Sequence, residues 1–369
     1  MVIKLEAIGL VMAGILLASC GNTAARSHPA TSSPRNSVSS SPAASASTPT
    51  TPNCSLPVAE SSSGPGSVGF INLPTGNYLA DPTGTVLYDP ATQRSKIVGA
   101  QILYGDGGAT YDAAFKRWLP VKPSQVSADG SSYVYTREAS PNQFLNEIHL
   151  VDVASGTDRI IDNQGAYVAL ADRSEGVYLT HHLIGTDTSN GLWLLDPATR
   201  SLQPYQASMR ASWEAIADGR AWTFSTDGGR FGSNSLAALD LASGALTTWF
   251  TAPSAVQVPQ DGSKSVRAIA FDSSMHPIVE VYVFGGGTPA IWLITGPGQA
   301  TQVTGLKLAD FTPPPGIPDS NGAWVVGADG VYLYQGASFQ RVAPAPSAWT
   351  TPNYSIAGPC IAGTMSGTP

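Results

Sequence analysis

Three segments of this chain repeat one pattern at one spacing. NEIHLVDVASG, NGLWLLDPATR and NSLAALDLASG place Asp152, Asp196 and Asp240 at intervals of 44 and 44 residues. Each aspartate ends an apolar run and opens a tight turn, where its carboxylate can accept bonds from backbone N–H groups. Upstream lies a second pattern: SADG at 127–130, AD at 171–172 and ADG at 217–219. Short alternating runs of β-branched and aromatic residues follow these, YVYTRE, VYLTHH and AWTFST. TDRIID, RSLQPY and ALTTWF come after the aspartate turns. One unit therefore reads strand, Asp-Gly turn, strand, loop, strand, Asp turn, strand.

The unit recurs with drift. AIAFDSSMHPIVEVYVFGG with AIWLITGPGQATQVTG carries Thr295 at the aspartate position, and PDSNGAWVVGADGVYLYQGASFQRVAP carries Gln335 there. GATYDAAFKRWLPV sets Asp112 forty residues before Asp152. Four-stranded units of about 40–55 residues point to an all-β ring, a β-propeller. A parallel β-helix has shorter rungs, and a two-sheet sandwich does not repeat one unit this often. YDPATQRSKIVG around Asp89 decides the count. As an insertion within one blade it leaves six blades, the expected number; as a complete blade it makes seven. SVGFINLPTG and TYDAAFKRWLPV are expected as outer strands of the first blade, with AWTTPNYSIAGPC as its inner strand. That exchange between the N- and C-terminal parts closes the ring and removes the open sheet edge.

Residues 1–20 read as a signal peptide, with Lys4 before an uncharged run from Ala7 to Ala18. The run is too short for a bilayer core, which needs about 20 residues. Leu17-Ala18-Ser19-Cys20-Gly21 resembles the lipobox of bacterial lipoproteins. The resemblance implies that Cys20 becomes N-terminal after cleavage and carries lipid, palmitate included, as the membrane attachment. Residues 21–53, mostly Ser, Thr, Pro and Ala, read as a disordered tether that cannot bury enough apolar surface to order itself. The folded domain is expected over 54–369. With Cys20 lipidated, Cys54 and Cys360 remain as a pair, read as a disulfide joining the two ends of that domain.

The Asp-Gly turn and the LVDVASG turn together resemble the repeats of TolB-type propellers. Residues 110–138 also resemble a block of uncharacterised bacterial propeller lipoproteins. Both resemblances bear on fold and leave function open, because propellers host unrelated activities.

No catalytic, cofactor or metal motif stands out. There is neither a G-x-S-x-G elbow nor a Walker loop. His181 and His182 are adjacent in a strand and should point to opposite faces. Asp106-Gly107-Gly108 with Asp112, and Asp187 to Gly191, miss the EF-hand spacing and read as turns. Asp112, Asp152, Asp196 and Asp240 read as structural turn residues, one per blade. Trp118, Trp193, Trp222, Trp292 and Trp324 read as packing between sheets, while Trp213, Trp249 and Trp349 are candidates for a sugar platform. With 19 basic against 26 acidic residues, nucleic acid is excluded as a partner. The expectation is a lipid-anchored extracytoplasmic module, at the cell surface or in the periplasm. It binds or scaffolds an envelope protein, a peptide or a glycan. The alternative is an enzyme, a lyase or hydrolase, with its site at the channel mouth.

Overall fold

The computed structural model describes residues 51–60, 66–89, 94–98, 103–105, 108–140, 145–182, 189–205, 212–225, 234–257, 263–285, 288–308, 316–347 and 354–363. Among them the only helical element is a 3-10 turn at Pro123–Gln125. The rest is antiparallel strand and turn, arranged as a six-bladed propeller.

The first sheet contains β1 (Cys54–Glu60), β2 (Gly66–Asn72), β3 (Asn77–Asp89), β4 (Arg94–Val98) and β5 (Leu103–Gly105). A separate hairpin follows, β6 (Thr110–Asp112) and β7 (Arg117–Leu119). Blade two holds β8 (Ser132–Ser140), β9 (Leu145–Asp152) and β10 (Asp158–Gly165). Its first position is taken by Val126, which bridges to Tyr133. Blade three is β11 (Tyr167–Arg173), β12 (Gly176–His182), β13 (Ser189–Leu195) and β14 (Leu202–Tyr205). Blade four is β15 (Ser212–Ala217), β16 (Arg220–Ser225), β17 (Ser235–Asp240) and β18 (Leu246–Thr251). Blade five is β19 (Lys264–Phe271), β20 (Pro277–Val283), β21 (Ala290–Gly296) and β22 (Gln299–Val303). Blade six is β23 (Ile317–Asp319), β24 (Gly322–Gly327), β25 (Gly330–Tyr334) and β26 (Phe339–Pro344). Two short strands complete the chain, β27 (Tyr354–Ile356) and β28 (Ile361–Ala362).

Middle strands are apolar on both faces because each blade is covered on both sides. β24 and β25 are buried along their whole length, whereas the fourth strands β18 and β22 are mostly exposed. Side chains alternate between the two neighbours of a blade. On β8, Val134 packs with Ile148, Val177 and Leu195 toward blade three. Tyr133 and Tyr135 point the other way, onto Leu119 and Val121. Equivalent layers lie between blades three and four around Tyr178, Trp213 and Leu239. Trp222, Phe250 and Val281 fill the next gap, and Ile278, Val325 and Tyr332 the one after. The layer between blades six and one holds Leu56, Ile71, Trp324, Leu333 and Tyr354.

Closure of the ring follows the expected exchange. β27 pairs with β1, with Val58 opposite Ile356, so a C-terminal strand takes the first position of the N-terminal blade. β28 pairs Cys54 with Ala362 and Ser55 with Ile361. Cys54 and Cys360 are disulfide-bonded with Cα atoms 5.7 Å apart. The cap of blade six holds the same point. Asp319 Oδ2 accepts bonds from the Cys360 N–H at 2.9 Å and from Trp324 Nε1 at 2.7 Å. The Asp89 region extends the first sheet through β3, β4 and β5, which leaves six blades rather than seven.

Two expectations are corrected. SVGFINLPTG is not an outer strand of blade one: it forms β2, which pairs with β1 on one side and β3 on the other, with Val68, Phe70 and Ile71 buried. TYDAAFKRWLPV is not an outer strand of blade one, because β4 pairs along β3 and occupies that edge. The segment instead forms the β6–β7 hairpin, a wedge between blades one and two. Tyr111 and Trp118 pack on Phe70 and Val68 on one side, and Leu119 packs toward Tyr133 on the other. Trp118 Nε1 donates to Asp81 at 3.0 Å, and the Tyr111 N–H donates to the Ala357 carbonyl at 2.6 Å. Arg117 donates to the Val153 carbonyl of blade two.

The Cys54–Cys360 bond closes a loop with a sequence separation of 306. Loop-closure entropy alone would give it about 5 kcal/mol, and measured losses of native disulfides run at about 2–5 kcal/mol. The double variant Cys54→Ser/Cys360→Ser should melt about 3–8 °C lower than the oxidised protein, and reductant should lower the native chain equally. Unchanged melting in both cases would mean that strand pairing alone closes the ring.

Candidate functional site

The first strands of blades three, four and five share a bulge. Pairing skips one residue between Ala169 and Ala171, between Trp213 and Ala215, and between Ala268 and Ala270. The extra residues are Leu170, Glu214 and Ile269. A bulge leaves its residue out of the ladder and re-aims the side chain. The same positions carry bonds between blades. Ser124 Oγ donates to the Leu170 carbonyl at 3.0 Å, and the Gly316 N–H donates to the Ile269 carbonyl at 2.7 Å. Gln125 Nε2 donates to the Ala169 carbonyl at 3.3 Å. Arg173 reaches the Ser124 carbonyl on one side and the Ile216 carbonyl on the other, both at 3.1 Å. One side chain thus touches blades two, three and four, which places this girdle where the blades converge.

Glu214 is the charged member of the bulge series. It is open to solvent, yet crowding by protein pushes its carboxyl up to about 7, against the opposing pull of the Lys122 ammonium. A carboxyl poised there can exchange a proton near neutral pH. Sequence reading passed over it. The available signal was a glutamate in SWEAIA, at the position where the other copies carry Leu170 and Ile269.

The repeat aspartates lie on different blades and bond their own turns. Asp152 Oδ1 accepts from the N–H and hydroxyl of Ser155, both at 2.7 Å. Asp240 does the same with Ser243 at 2.8 Å. Asp196 accepts from the Ala198 N–H at 2.8 Å and from Thr199 Oγ1 at 2.7 Å. These bonds hold all three carboxyls below the usual aspartate range. The fifth turn residue is left-handed in each: Gly156 (φ 70°), Arg200 (φ 60°) and Gly244 (φ 72°).

Asp112 differs from these. Its Oδ1 accepts from the Ala114 N–H at 2.8 Å in the hairpin turn, but the residue is only 7 % exposed. Its Oδ2 is buried without a hydrogen bond. Burial raises its pKa. The carboxylate sits against Gly130 so closely that a Cβ there would lie 2.6 Å from Oδ2.

Asp129, Asp172 and Asp218 look alike in sequence and also diverge. Asp129 is exposed and accepts three bonds from Ser127 and Ser131, which draw its pKa down to about 2. Asp172 is buried and accepts from Ser132 Oγ of blade two at 3.1 Å, and burial pushes its carboxyl up to about 6. Asp218 is exposed with φ 50°.

A polar cluster fills one face of blade two. His149, 5 % exposed, lies with Nδ1 2.8 Å from Asp158 and Nε2 3.2 Å from Glu147. Its ring stacks on Tyr135 at 4.5 Å, and Tyr135 donates to Asp158 at 2.7 Å. Burial opposes the charged imidazole, but the bonds and charges of Asp158 and Glu147 outweigh it, and the pKa rises. The two ring nitrogens face opposite carboxylates, so the cluster is a clamp across β8, β9 and β10. Among the described residues no group of three or more His, Cys, Asp or Glu could hold a metal ion.

The tryptophans divide by burial. Trp118, Trp222 and Trp324 are core residues. Trp213, at 3 % exposure, is buried and cannot serve as a sugar platform. Trp249 is partly covered by Arg220, whose Cζ lies 5.1 Å from the ring centre. Cys20, Trp349, Asp106 and Asp187 lie outside the described residues. A cleft of about 140 Å³ between blades five and six is lined by Asp272, Leu293, Asn321, Tyr334 and Gln335. It is smaller than ligand pockets, which run about 300–1,000 Å³.

No family model matches this chain, and no curated protein matches it. Solved structures do. TolB from Acinetobacter baumannii is 14 % identical with a TM-score of 0.41, over 82 % of each chain. An oligogalacturonate lyase in complex with manganese is 13 % identical with a TM-score of 0.32, over 81 % of this chain and 76 % of that one. Pyrococcus horikoshii acylaminoacyl peptidase is 11 % identical with a TM-score of 0.44, over 75 % of this chain and 48 % of that one. At these scores the likenesses carry no functional argument, and the architecture rests on the chain's own sheet order.

Asp172 offers a pH test. Its pKa in the fold lies above the unfolded value, so the cost of its charge appears as pH rises from about 4 through 6. Asp172→Asn should leave stability at pH 4 nearly unchanged and raise it at pH 8, by up to about 3 kcal/mol. Thermal melts at both pH values check this. An equal loss at both would mean that the carboxylate's bond to Ser132 outweighs its desolvation.

Proposed function

We propose that this chain is a lipid-anchored extracytoplasmic β-propeller that binds or scaffolds an envelope protein, a peptide or a glycan. In this reading residues 1–20 are a lipoprotein signal, Cys20 carries the lipid, residues 21–53 are the tether and 54–369 are the propeller. The Cys54–Cys360 disulfide is the observation that supports an extracytoplasmic compartment. Structural disulfides persist in oxidising surroundings and are rare in the cytosol. This one ties down the chain just after the Ser/Thr/Pro-rich segment, so a pull on the tether meets the closed ring and not a free strand end. The bound lipid would supply about 0.8 kcal/mol per buried CH₂ toward membrane attachment.

Glu214 favours a second reading, an enzyme of the lyase or hydrolase type working at the mouth of the ring. A solvent-open carboxyl near neutral pKa with Lys122 acting on it is the start of an acid–base pair.

Expression of the full chain in a bacterium fed radiolabelled palmitate tests the leading reading. Label should enter the protein and follow it into the membrane fraction. Cys20→Ala should remove both label and membrane retention. An unlabelled native chain in the soluble fraction would overturn the anchor.

A further inference from the structure

The polar cluster of blade two admits one protonation state of its histidine. A neutral imidazole carries one N–H and one bare lone pair, whereas an imidazolium donates from both nitrogens. Both nitrogens of His149 face carboxylates, Nδ1 at 2.8 Å from Asp158 Oδ1 and Nε2 at 3.2 Å from Glu147 Oε2. Either neutral tautomer would set a lone pair against a carboxylate oxygen, on a residue only 5 % exposed. The imidazolium bonds both. Its ring lies nearly parallel to that of Tyr135, 19° between planes and 4.5 Å between centres, and a tyrosine face attracts a cation. The Tyr135 hydroxyl donates to Asp158 Oδ2, which leaves Oδ1 of that carboxylate for His149. Arg137 lies 3.5 Å from Glu147 on the solvent side. Among the neighbouring groups, Tyr133 of β8 has its hydroxyl pKa pushed up by burial, and Arg117 of β7 donates to the Val153 carbonyl. β5 runs beside β8 and has Tyr104 as its titratable residue. Arg159 of β10 turns to blade three, where it donates to the Pro197 carbonyl.

The strand held by this cluster is the outermost of its blade. β10 pairs in regular register with β9 only from Asp158 to Ile160; the register shifts before Asp162 and again before Gly165. Its side chains are mostly exposed, and Ile161 alone is buried, in the layer between blades two and three. A strand with a broken ladder and one buried side chain sits at the low-stability end of a fold. The Asp158–His149 bond falls on the regular stretch, where His149 stands opposite Ile160. We propose that His149 is a proton-operated latch: as an imidazolium it fastens β10 to blade two, and loss of its proton frees that strand while β8 and β9 stay paired. Burial disfavours the imidazolium, yet Asp158 and Glu147 outweigh it and the folded chain holds the proton more tightly than the unfolded one. The latch is therefore fully closed below the free-histidine value of about 6.5 and opens as pH rises through the higher folded value. Asp158 sets the acid limit. Burial opposes its charge, but the bonds from His149 and Tyr135 prevail and hold its carboxyl below the usual range, so the latch weakens only as pH falls through that lowered value.

Histidine-labelled full-length protein in detergent micelles, followed by nitrogen-15 NMR, reads the latch without any substitution. The His149 signal is identified by its ring contacts with Tyr135. At pH 7 both of its nitrogens should carry protons, and it should titrate at a higher pH than free histidine. Amide exchange of residues 158–161, taken relative to the intrinsic rate at each pH, should rise about tenfold or more once His149 is neutral, while β8 and β9 stay protected. Asp158→Asn should shift the His149 titration to lower pH and speed exchange of the same residues at pH 7. A neutral His149 at pH 7 overturns the imidazolium. Exchange at 158–161 that ignores the His149 titration overturns the latch, and so does opening of β8 and β9 at the same pH, which would mean that blade two yields as a whole.

Discussion

The pairing of β27 with β1, locked by Cys54–Cys360, is the constraint on which the rest depends. A propeller blade cannot bury its apolar faces alone, because each needs a neighbour on both sides. An open array would expose the Leu56–Trp324–Tyr354 layer between the last blade and the first. Exchanging a strand between the N- and C-terminal parts of the fold converts that exposed layer into one more interior. Asp319 strengthens the joint by bonding both the Trp324 indole of its own blade and the Cys360 backbone of the next. The closure is therefore held by strand pairing, a covalent bond and a carboxylate that spans two blades.

Inside the ring the same problem is solved by polar groups. Where the first strands converge, backbone carbonyls freed by the bulges at Leu170 and Ile269 need donors. Ser124 Oγ and the Gly316 N–H supply them across blade boundaries, while Gln125 and Arg173 bond the nearby carbonyls of Ala169, Ser124 and Ile216. Glu214 occupies the equivalent bulge with a group that contributes charge instead of packing.

Much of this architecture is legible in the sequence. The 44-residue spacing of Asp152, Asp196 and Asp240 marks the third-to-fourth strand turn of blades two, three and four, and the carboxylates there bond the turn N–H groups. The even cysteine pair marks the closure. What could not be read depends on neighbours remote in sequence. The TYDAAFKRWLPV segment carries strand-like alternation, but the first sheet's outer edge was already filled by β4, and only the gap between blades one and two remained. Asp129, Asp172 and Asp218 sit in similar words, yet Asp172 alone is covered by an adjacent blade. His149 reads as one more strand residue until β10 brings Asp158 beside it. Arg267 and Glu280 are thirteen residues apart and meet only through the β19–β20 register.

Amide hydrogen exchange on the full-length protein, oxidised and reduced, tests the closure most directly. The account predicts that residues 54–60 and 354–356 exchange as slowly as the buried strands of blades four to six when the disulfide is intact. Reduction should speed exchange in those two segments and in the Trp324 strand before any other blade. Fast exchange of 354–356 in the oxidised protein, with the remaining blades still protected, would contradict the claim that this strand closes the ring.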